Sequence, residues 1–348
     1  MPPLLDIRDL RLVLGDFVLG KLSLSLAAGD YLLLLGPSGC GKTSLLRTIA
    51  GFHRADEGAL RLDGAQITGL SPRRRRVGYV AQTIDLFDHL SVRDNIAFGL
   101  RYQGMTRAAR ESAFARIVDL LRLRELLGRY PATLSGGESK RVALARSLVV
   151  QPRVLLLDEP VSMLDYNARA QMLAVLRMLH GELGTATIHV THDREEAWAF
   201  GSRCAVMREG RIEQTGDVNE LFRAPRTRFV AEFLGFANVF PARFAQEDGV
   251  TLARLDWAQF ELPGPVPFED GYLGIRPETV EPATDGTPGS FRGRVVSVAD
   301  RGAYREVRIE VASDVSLIAH LAGGASQALR AHDALPWRCS RAPHPIGE

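Results

Sequence analysis

Apolar positions along the chain follow two rhythms, and the order of the rhythms predicts an architecture. Residues 4–35 read as strands. Leu22, Leu24 and Leu26 alternate with Ser23 and Ser25, as on a strand with one face buried. Tyr31 to Leu35 is a solid apolar run of strand length, which predicts a strand covered on both faces. Leu45, Leu46 and Ile49 then repeat at helical spacing. Leu60 and Leu62 alternate ahead of Asp63-Gly64, a hairpin-turn pair, and Val77 to Val80 predicts a short strand ending at Gln82. Residues 91–150 read as helical. Ser91 and Thr106 stand as N-caps, and Phe114, Ile117, Val118 and Leu121 form one apolar stripe. Val154 to Leu157 predicts a second buried strand. A helix over 167–180, a strand over 186–190, a helix over 194–200 and a strand over 203–207 follow. Strands alternating with helices predict an α/β unit, a mainly parallel sheet covered on both faces.

The pattern changes near residue 236. Ten of the 18 prolines lie from Pro241 onward, and helical periodicity fades. Short strands are predicted at Tyr272 to Ile275, Phe291 to Val298 and Glu306 to Val311, between Gly/Pro/Asp turns. This predicts two domains, 1–235 with a helical subdomain at about 91–150, and a small all-β domain at 236–348. From about Ala322 no pattern is clear, and that stretch is expected to fray.

Charge and cysteines narrow the function. The formal net charge is +2, while the part from residue 236 carries 11 arginines, no lysines and 15 acids, a balance of −4. That balance argues against nucleic acid as a partner of the β domain. Cys40, Cys204 and Cys339 are odd in number and far apart, as expected in a reducing compartment without a disulfide framework. No apolar run approaches the ~18 residues of a membrane helix, and the first residues lack the basic start and apolar middle of a signal peptide. A soluble protein is expected, with any membrane role coming through a partner. Arg73 to Arg76 reads either as a solvated charged turn or as a contact for an acidic partner or lipid surface.

The candidate chemistry centres on Gly36-Pro37-Ser38-Gly39-Cys40-Gly41-Lys42-Thr43-Ser44, which fits the phosphate-binding pattern G-x-x-x-x-G-K-[ST] between a strand and a helix. Glycines let backbone N–H groups turn inward around an anion, and the helix start adds unpaired donors. Lys42 would neutralise β/γ-phosphate charge, and the Thr43 hydroxyl would ligate Mg²⁺. Asp158 and Glu159 follow an apolar strand at its C-terminal end, where ligands gather in open α/β sheets. Asp158 there can hold Mg²⁺ and Glu159 can polarise an attacking water. His192 closes another strand, where it can bond a γ-phosphate or hold the water. Gln82 can place its amide oxygen on the metal or water. Ser135, Gly136, Gly137 and Glu138 open a helical run. They read either as a loop with an N-cap serine or as a second anion site. In the second case each nucleotide would use one site of each kind from two copies of the chain.

In this order the motifs resemble the ATP-binding subunits of ABC transporters over about residues 4–235. Gly36 to Ser44 is similar to the family's Walker A, Gln82 to its Q-loop, and Leu134 to Glu138, continuing to Arg146, to its signature. Asp158-Glu159-Pro160 is similar to Walker B, Ser162-Met163-Leu164-Asp165 to the D-loop, and His192 to the switch histidine. The stretch Arg228 to Gly235 and Gly274-Ile275-Arg276-Pro277-Glu278 resemble binding-protein-dependent importers with a C-terminal TOBE domain, a small OB-like β barrel.

The resemblance implies an ATPase using ATP and Mg²⁺. Two copies would close on two nucleotides and drive two membrane-spanning permease subunits, fed indirectly by an extracytoplasmic solute-binding protein, from the cytoplasmic face of the membrane. The segment Thr83 to Leu90 would receive the permease. Glu138 departs from the family's usual glutamine, and its carboxylate is expected to point away from the phosphate. Asp88 stands where relatives often carry proline. The adenine-stacking aromatic falls by register near Leu14, with Phe17 the nearest aromatic; Phe17 reads first as a core strand residue. A soluble ABC ATPase acting on nucleic acid or ribosomes, an exporter subunit and a P-loop kinase are the alternatives. The first commonly has tandem ATPase domains, the second leaves the β domain unexplained, and the third has no use for Ser135 to Glu138.

Overall fold

The computed structural model describes residues 2–200, 203–287, 289–322 and 329–347. Its contacts divide into one unit up to Asn219 and a second from Glu220.

In the first unit, β1 (Leu5–Leu14) and β2 (Phe17–Leu26) form a hairpin, followed by β3 (Tyr31–Leu35) and α1 (Lys42–Ala50). Next come β4 (Glu57–Leu62), β5 (Ala65–Gln66) and β6 (Val77–Val80). The helical stretch holds α2 (Val92–Ala97), α3 (Arg107–Leu120) and α4 (Gly136–Leu148). Then β7 (Val154–Asp158), α5 (Tyr166–Leu183), β8 (Ala186–Val190), α6 (Arg194–Phe200), β9 (Arg203–Arg208) and β10 (Arg211–Asp217) alternate. Among the described residues these strands make an antiparallel sheet, β2-β1-β4-β5, and a six-stranded sheet, β10-β9-β3-β8-β7-β6. The six-stranded sheet is parallel except where β10 pairs antiparallel with β9 at its edge.

The solid apolar runs are buried because they serve two cores. Val154 and Leu156 of β7 face a cluster containing α1 and the antiparallel sheet, while Leu155 and Leu157 face a cluster built from the helices α2 to α5. Successive side chains leave a strand on opposite faces, so both sets must be apolar. Each fully buried leucine contributes roughly 1.5–3 kcal/mol.

The helical stretch is three separate α-helices with short 3-10 turns between them, with Ser91 and Thr106 accepting from Asp94 N and Ala109 N as caps. On α3, Ile117 and Val118 are buried, as is Leu121 just beyond it, while Phe114 is half-buried.

The arginine run is not a uniformly solvated turn. Arg75 is 2% exposed and its guanidinium donates to the carbonyls of Thr48 (2.6 Å), Ile49 (2.9 Å), Thr68 (2.8 Å) and Leu70 (2.8 Å). Thr48 and Ile49 lie in the last turn of α1, whose carbonyls have no partner within the helix. A cationic donor there also suits the helix dipole.

The second unit begins inside the short helix α7 (Val218–Arg223) and includes α8 (Arg228–Phe233). Sequence alone groups residues 220–235 with the first domain, whereas their contacts fall within the second unit. Its strands are β11 (Asn238–Glu247), β12 (Val250–Arg254), β13 (Gln259–Leu262), β14 (Asp270–Ile275), β15 (Val280–Pro282), β16 (Phe291–Asp300), β17 (Arg305–Ala312), β18 (Val315–Leu321), β19 (Ala334–Cys339) and β20 (His344–Ile346). Among the described residues they form two five-stranded antiparallel sheets, β13-β12-β11-β14-β20 and β15-β19-β16-β17-β18, around one core holding Phe244, Leu273, Val295 and Trp337. Asn238 ties the two sheets. Its amide donates to the Ile275 and Ile318 carbonyls and accepts from Ile318 N at 2.7 Å.

The expectation of a frayed end fails for residues 334–339 and 344–346. β19 sits inside its sheet, and β20 pairs with β14 and buries Ile346 completely. Residues 323–328 of that stretch lie outside the described residues.

Candidate active site

The site begins where β3 ends. Gly36 has φ 154°, and a Cβ there would lie 2.4 Å from the Met207 carbonyl oxygen. Gly41, at φ 104°, is the N-cap of α1, and a Cβ there would meet the Phe17 ring at 2.5 Å. Only glycine lets the loop take these turns at this separation. Lys42 is 6% exposed and curls back over the loop, donating to the Gly36 and Pro37 carbonyls at 2.8 and 2.9 Å.

Thr43 Oγ1 donates to Asp158 Oδ1 at 2.9 Å, and the Tyr79 hydroxyl of β6 donates to Asp158 Oδ2 at 3.0 Å. Burial raises the Asp158 carboxyl above its ordinary range, against the lowering effect of those two bonds. Burial also pushes Tyr79 up to about 12, so its hydroxyl stays protonated and able to donate.

Glu159 stands one residue past the strand in a left-handed conformation, φ 48°. Such a conformation costs a non-glycine residue on the order of 1–3 kcal/mol and persists only where neighbours fix it. Here the Glu159 N–H donates to Val190 O at 3.1 Å, and Ser162 Oγ donates to Glu159 O at 2.8 Å. The turn aims the carboxylate at Gln82, whose Nε2 donates to Oε2 at 2.8 Å, and at His192, whose Nδ1 lies 3.1 Å from Oε1. Gln82, Glu159 and His192, far apart in sequence, therefore meet at the ends of β6, β7 and β8.

They close one side of a cavity of about 340 Å³. Its other walls are Ser38, Gly39, Gly41 to Ser44, and Phe17. Phe17 therefore packs on the core cluster and also faces the cavity, a role that its strand pattern did not signal; Leu14 is not among the lining residues. Gly36, Pro37, Cys40 and Asp158 are not among the lining residues. Cys40 is buried, and burial raises its thiol pKa.

Ser135 caps α4. Glu138 N donates to Ser135 Oγ at 3.3 Å, and Ser135 N donates to Glu138 Oε2 at 2.7 Å, a reciprocal capping box. The Ser135 N–H holds the Glu138 carboxyl below the usual carboxylate range. The carboxylate thus folds back on its own helix start, with Arg129 at 3.6 Å. A Cβ on Gly137 would meet nothing within 4 Å. None of Ser135 to Glu138 lines the cavity. Asp165 caps α5, its Oδ1 accepting from Ala168 N at 3.0 Å.

Two features escaped sequence reading. One is Tyr79 on Asp158; its only signal was a polar-tipped residue in an otherwise apolar strand. The other is a partly buried network beside His192. Arg169 of α5 bonds Asp193 and Glu196, the latter at 3.0 Å; His189 lies 3.1 Å from Glu196 and 2.8 Å from the Tyr31 hydroxyl.

Among the described residues no cluster of three or more His, Cys, Asp or Glu is placed to hold a metal. Thr43 and Asp158 nevertheless fit Mg²⁺. They offer adjacent hard oxygens, and Mg²⁺ at such sites takes one or two protein ligands with phosphate and water completing the shell.

A glycine loop closing on a helix start, with two carboxylates at the end of a parallel strand two places along the same sheet, is the framework of a P-loop nucleoside triphosphatase. Residues 19–162 match the family described as ABC transporter, and residues 273–336 match the TOBE domain. The chain is 39% identical over 336 residues to the spermidine/putrescine import ATP-binding protein PotA of Roseobacter denitrificans, covering 95% of this chain and 90% of that one. It is 46% identical over 245 residues to the sulfate/thiosulfate import ATP-binding protein CysA of Acinetobacter baylyi, covering 69% of each. The solved structure of CbiO1 from Clostridium perfringens, part of an ABC transporter complex, superposes with a TM-score of 0.58 at 27% identity, over 64% of this chain and 92% of that one. A dimeric ATP-binding cassette bound to ADP and Pi superposes with a TM-score of 0.54 at 25% identity, over 62% of this chain and 98% of that one. The chain belongs to the ATP-binding subunits of ABC-type importers. It is an ATPase carrying a C-terminal TOBE domain.

Proposed function

We propose that two copies of this chain bind two ATP between them and drive solute import through two membrane-spanning permease subunits, at the cytoplasmic face of the membrane. An extracytoplasmic solute-binding protein delivers the solute. One observation carries the paired site: Ser135 to Gly137 present an open helix start that contributes nothing to the cavity of their own chain. A helix start of this kind is an anion site, and a partner copy is what would bring a γ-phosphate to it. The solved dimeric cassette with ADP and Pi supports the same arrangement. The relatives named above are spermidine/putrescine and sulfate/thiosulfate import ATP-binding proteins, which supports a small charged solute for this chain.

In this reading Lys42 exchanges the Gly36 and Pro37 carbonyls for phosphate oxygens. Thr43 and Asp158, joined by Gln82, would hold Mg²⁺, which neutralises phosphate charge when bound. Glu159 orients and polarises the attacking water, and His192 holds Glu159 and the γ-phosphate in register. Phe17 offers the apolar surface for the adenine. The permease docks on residues 83–90. Asn95 braces that loop, accepting from Phe87 N and donating to the Phe87, Leu90 and Ser91 carbonyls, while Asp88 and His89 are exposed.

The test is purified Glu159→Gln. Hydrolysis is expected to fall at least ~100-fold, as expected on losing a group that positions and activates the nucleophile, while ATP still binds. Light scattering should then show dimers with ATP and monomers with ADP. Equal mass with both nucleotides would sink the shared site.

A further inference from the structure

Asp158 is 2% exposed, and both of its carboxylate oxygens are engaged. The two donors differ in place. Thr43 stands in the cavity wall at the start of α1. Tyr79 is not among the lining residues and reaches Asp158 from the neighbouring strand, where its backbone is in register with Leu156. Tyr79 is itself held on two further sides. The Arg47 side chain of α1 lies beside its hydroxyl, and the Phe52 ring meets its ring edge-on at a centroid distance of 5.5 Å. A carboxylate held at one oxygen can pivot about that bond; held at both, its plane is fixed. The Thr43 hydroxyl has one proton, spent on Asp158, and lone pairs left to face the cavity. The Tyr79 bond decides how Asp158 is presented beside them.

We propose that Tyr79 is a positioning residue for the metal. Its hydroxyl fixes the plane of Asp158, so that the Thr43 and Asp158 oxygens meet a divalent cation as a preformed pair. Partners of this kind, one step removed from the metal, typically tune affinity by 10–100-fold. The proposal rests on the reading of Asp158 as a Mg²⁺ holder.

The experiment uses the full chain and a fluorescent ATP analogue, titrated first in EDTA and then with Mg²⁺ at fixed nucleotide. Tyr79→Phe removes one oxygen and keeps the ring. Its affinity in EDTA should stay within about twofold of wild type, while the Mg²⁺ half-saturation concentration rises about tenfold. Asp158→Asn should raise that concentration at least as much, and the double variant no further than Asp158→Asn alone. An unchanged Mg²⁺ midpoint in Tyr79→Phe, beside a shifted one in Asp158→Asn, overturns the proposal. So does a parallel loss of affinity in EDTA, which would make Tyr79 a packing residue. An unchanged midpoint in Asp158→Asn would remove the underlying reading of Asp158 instead.

Discussion

Arg75→Met tests whether one member of the arginine run holds the phosphate-loop helix in place. The substitution keeps much of the buried stem and removes the guanidinium, with its bonds to Thr48, Ile49, Thr68 and Leu70. Gly51 N also donates to Thr48 O, at 3.2 Å, so that carbonyl keeps one partner. Ile49 O, at the end of α1, and the partly buried Thr68 and Leu70 carbonyls lose theirs. A buried acceptor left without a partner costs about 1–3 kcal/mol, and water reaching the partly buried pair reduces their share. The expected loss is about 3–5 kcal/mol. For a unit of this size that lowers the melting temperature by roughly 6–20 °C. Circular dichroism melts of the nucleotide-free protein read it directly. Arg74→Met is the internal control. Arg74 is exposed and should shift stability by less than about 0.5 kcal/mol. Equal, small shifts in the two variants would refute the idea that Arg75 caps α1.

Two further outcomes follow from the site. Phe17→Ala removes the apolar wall of the cavity and should weaken nucleotide binding by about 1–2 kcal/mol, or roughly 5–30-fold, with inorganic triphosphate affinity unchanged; equal losses for both ligands would place Phe17 in the loop's folding. Glu138→Ala should destabilise the protein at neutral pH by loss of the capping box. Because the folded carboxyl lies below its ordinary range, the stabilisation is present above that range and is lost as pH falls through the folded value. The gap between wild type and variant should therefore close in acid melts, and a gap constant with pH would contradict the geometry.

The sequence was most legible where one chemical requirement governs a continuous run. β3 and the first four residues of β7 are solid apolar segments because both faces of the sheet are covered, so their ends, with Gly36 just past β3 and Asp158 closing β7, could be placed from pattern alone. Helix starts were legible for a similar reason: Ser91, Thr106 and Ser135 each supply an acceptor that only an N-terminus needs. What stayed hidden depends on pairings across long separations. Arg75 reads as solvated charge until the fold brings the end of α1 beside it. Tyr79 reads as strand filling until β7 lies next to β6. β19 and β20 carry no pattern of their own, because their partners lie tens of residues upstream. Phe17 reads first as core and does pack on it, while also lining the cavity, since a residue at a sheet's end can pack on the core with one edge and face a cavity with the other.

The pairing of β20 with β14 also orders events during synthesis. β14 is made first, and its edge beyond β11 waits for His344 to Ile346, roughly 70 residues downstream. At about 5–20 residues per second the ribosome needs roughly 4–14 seconds to supply them. Until then the β14 edge is an unpaired template open to other nascent chains. A late stop codon or a C-terminal fusion that pulls on residues 344–346 would thus act at the stage of aggregation and yield, before any ATP is bound.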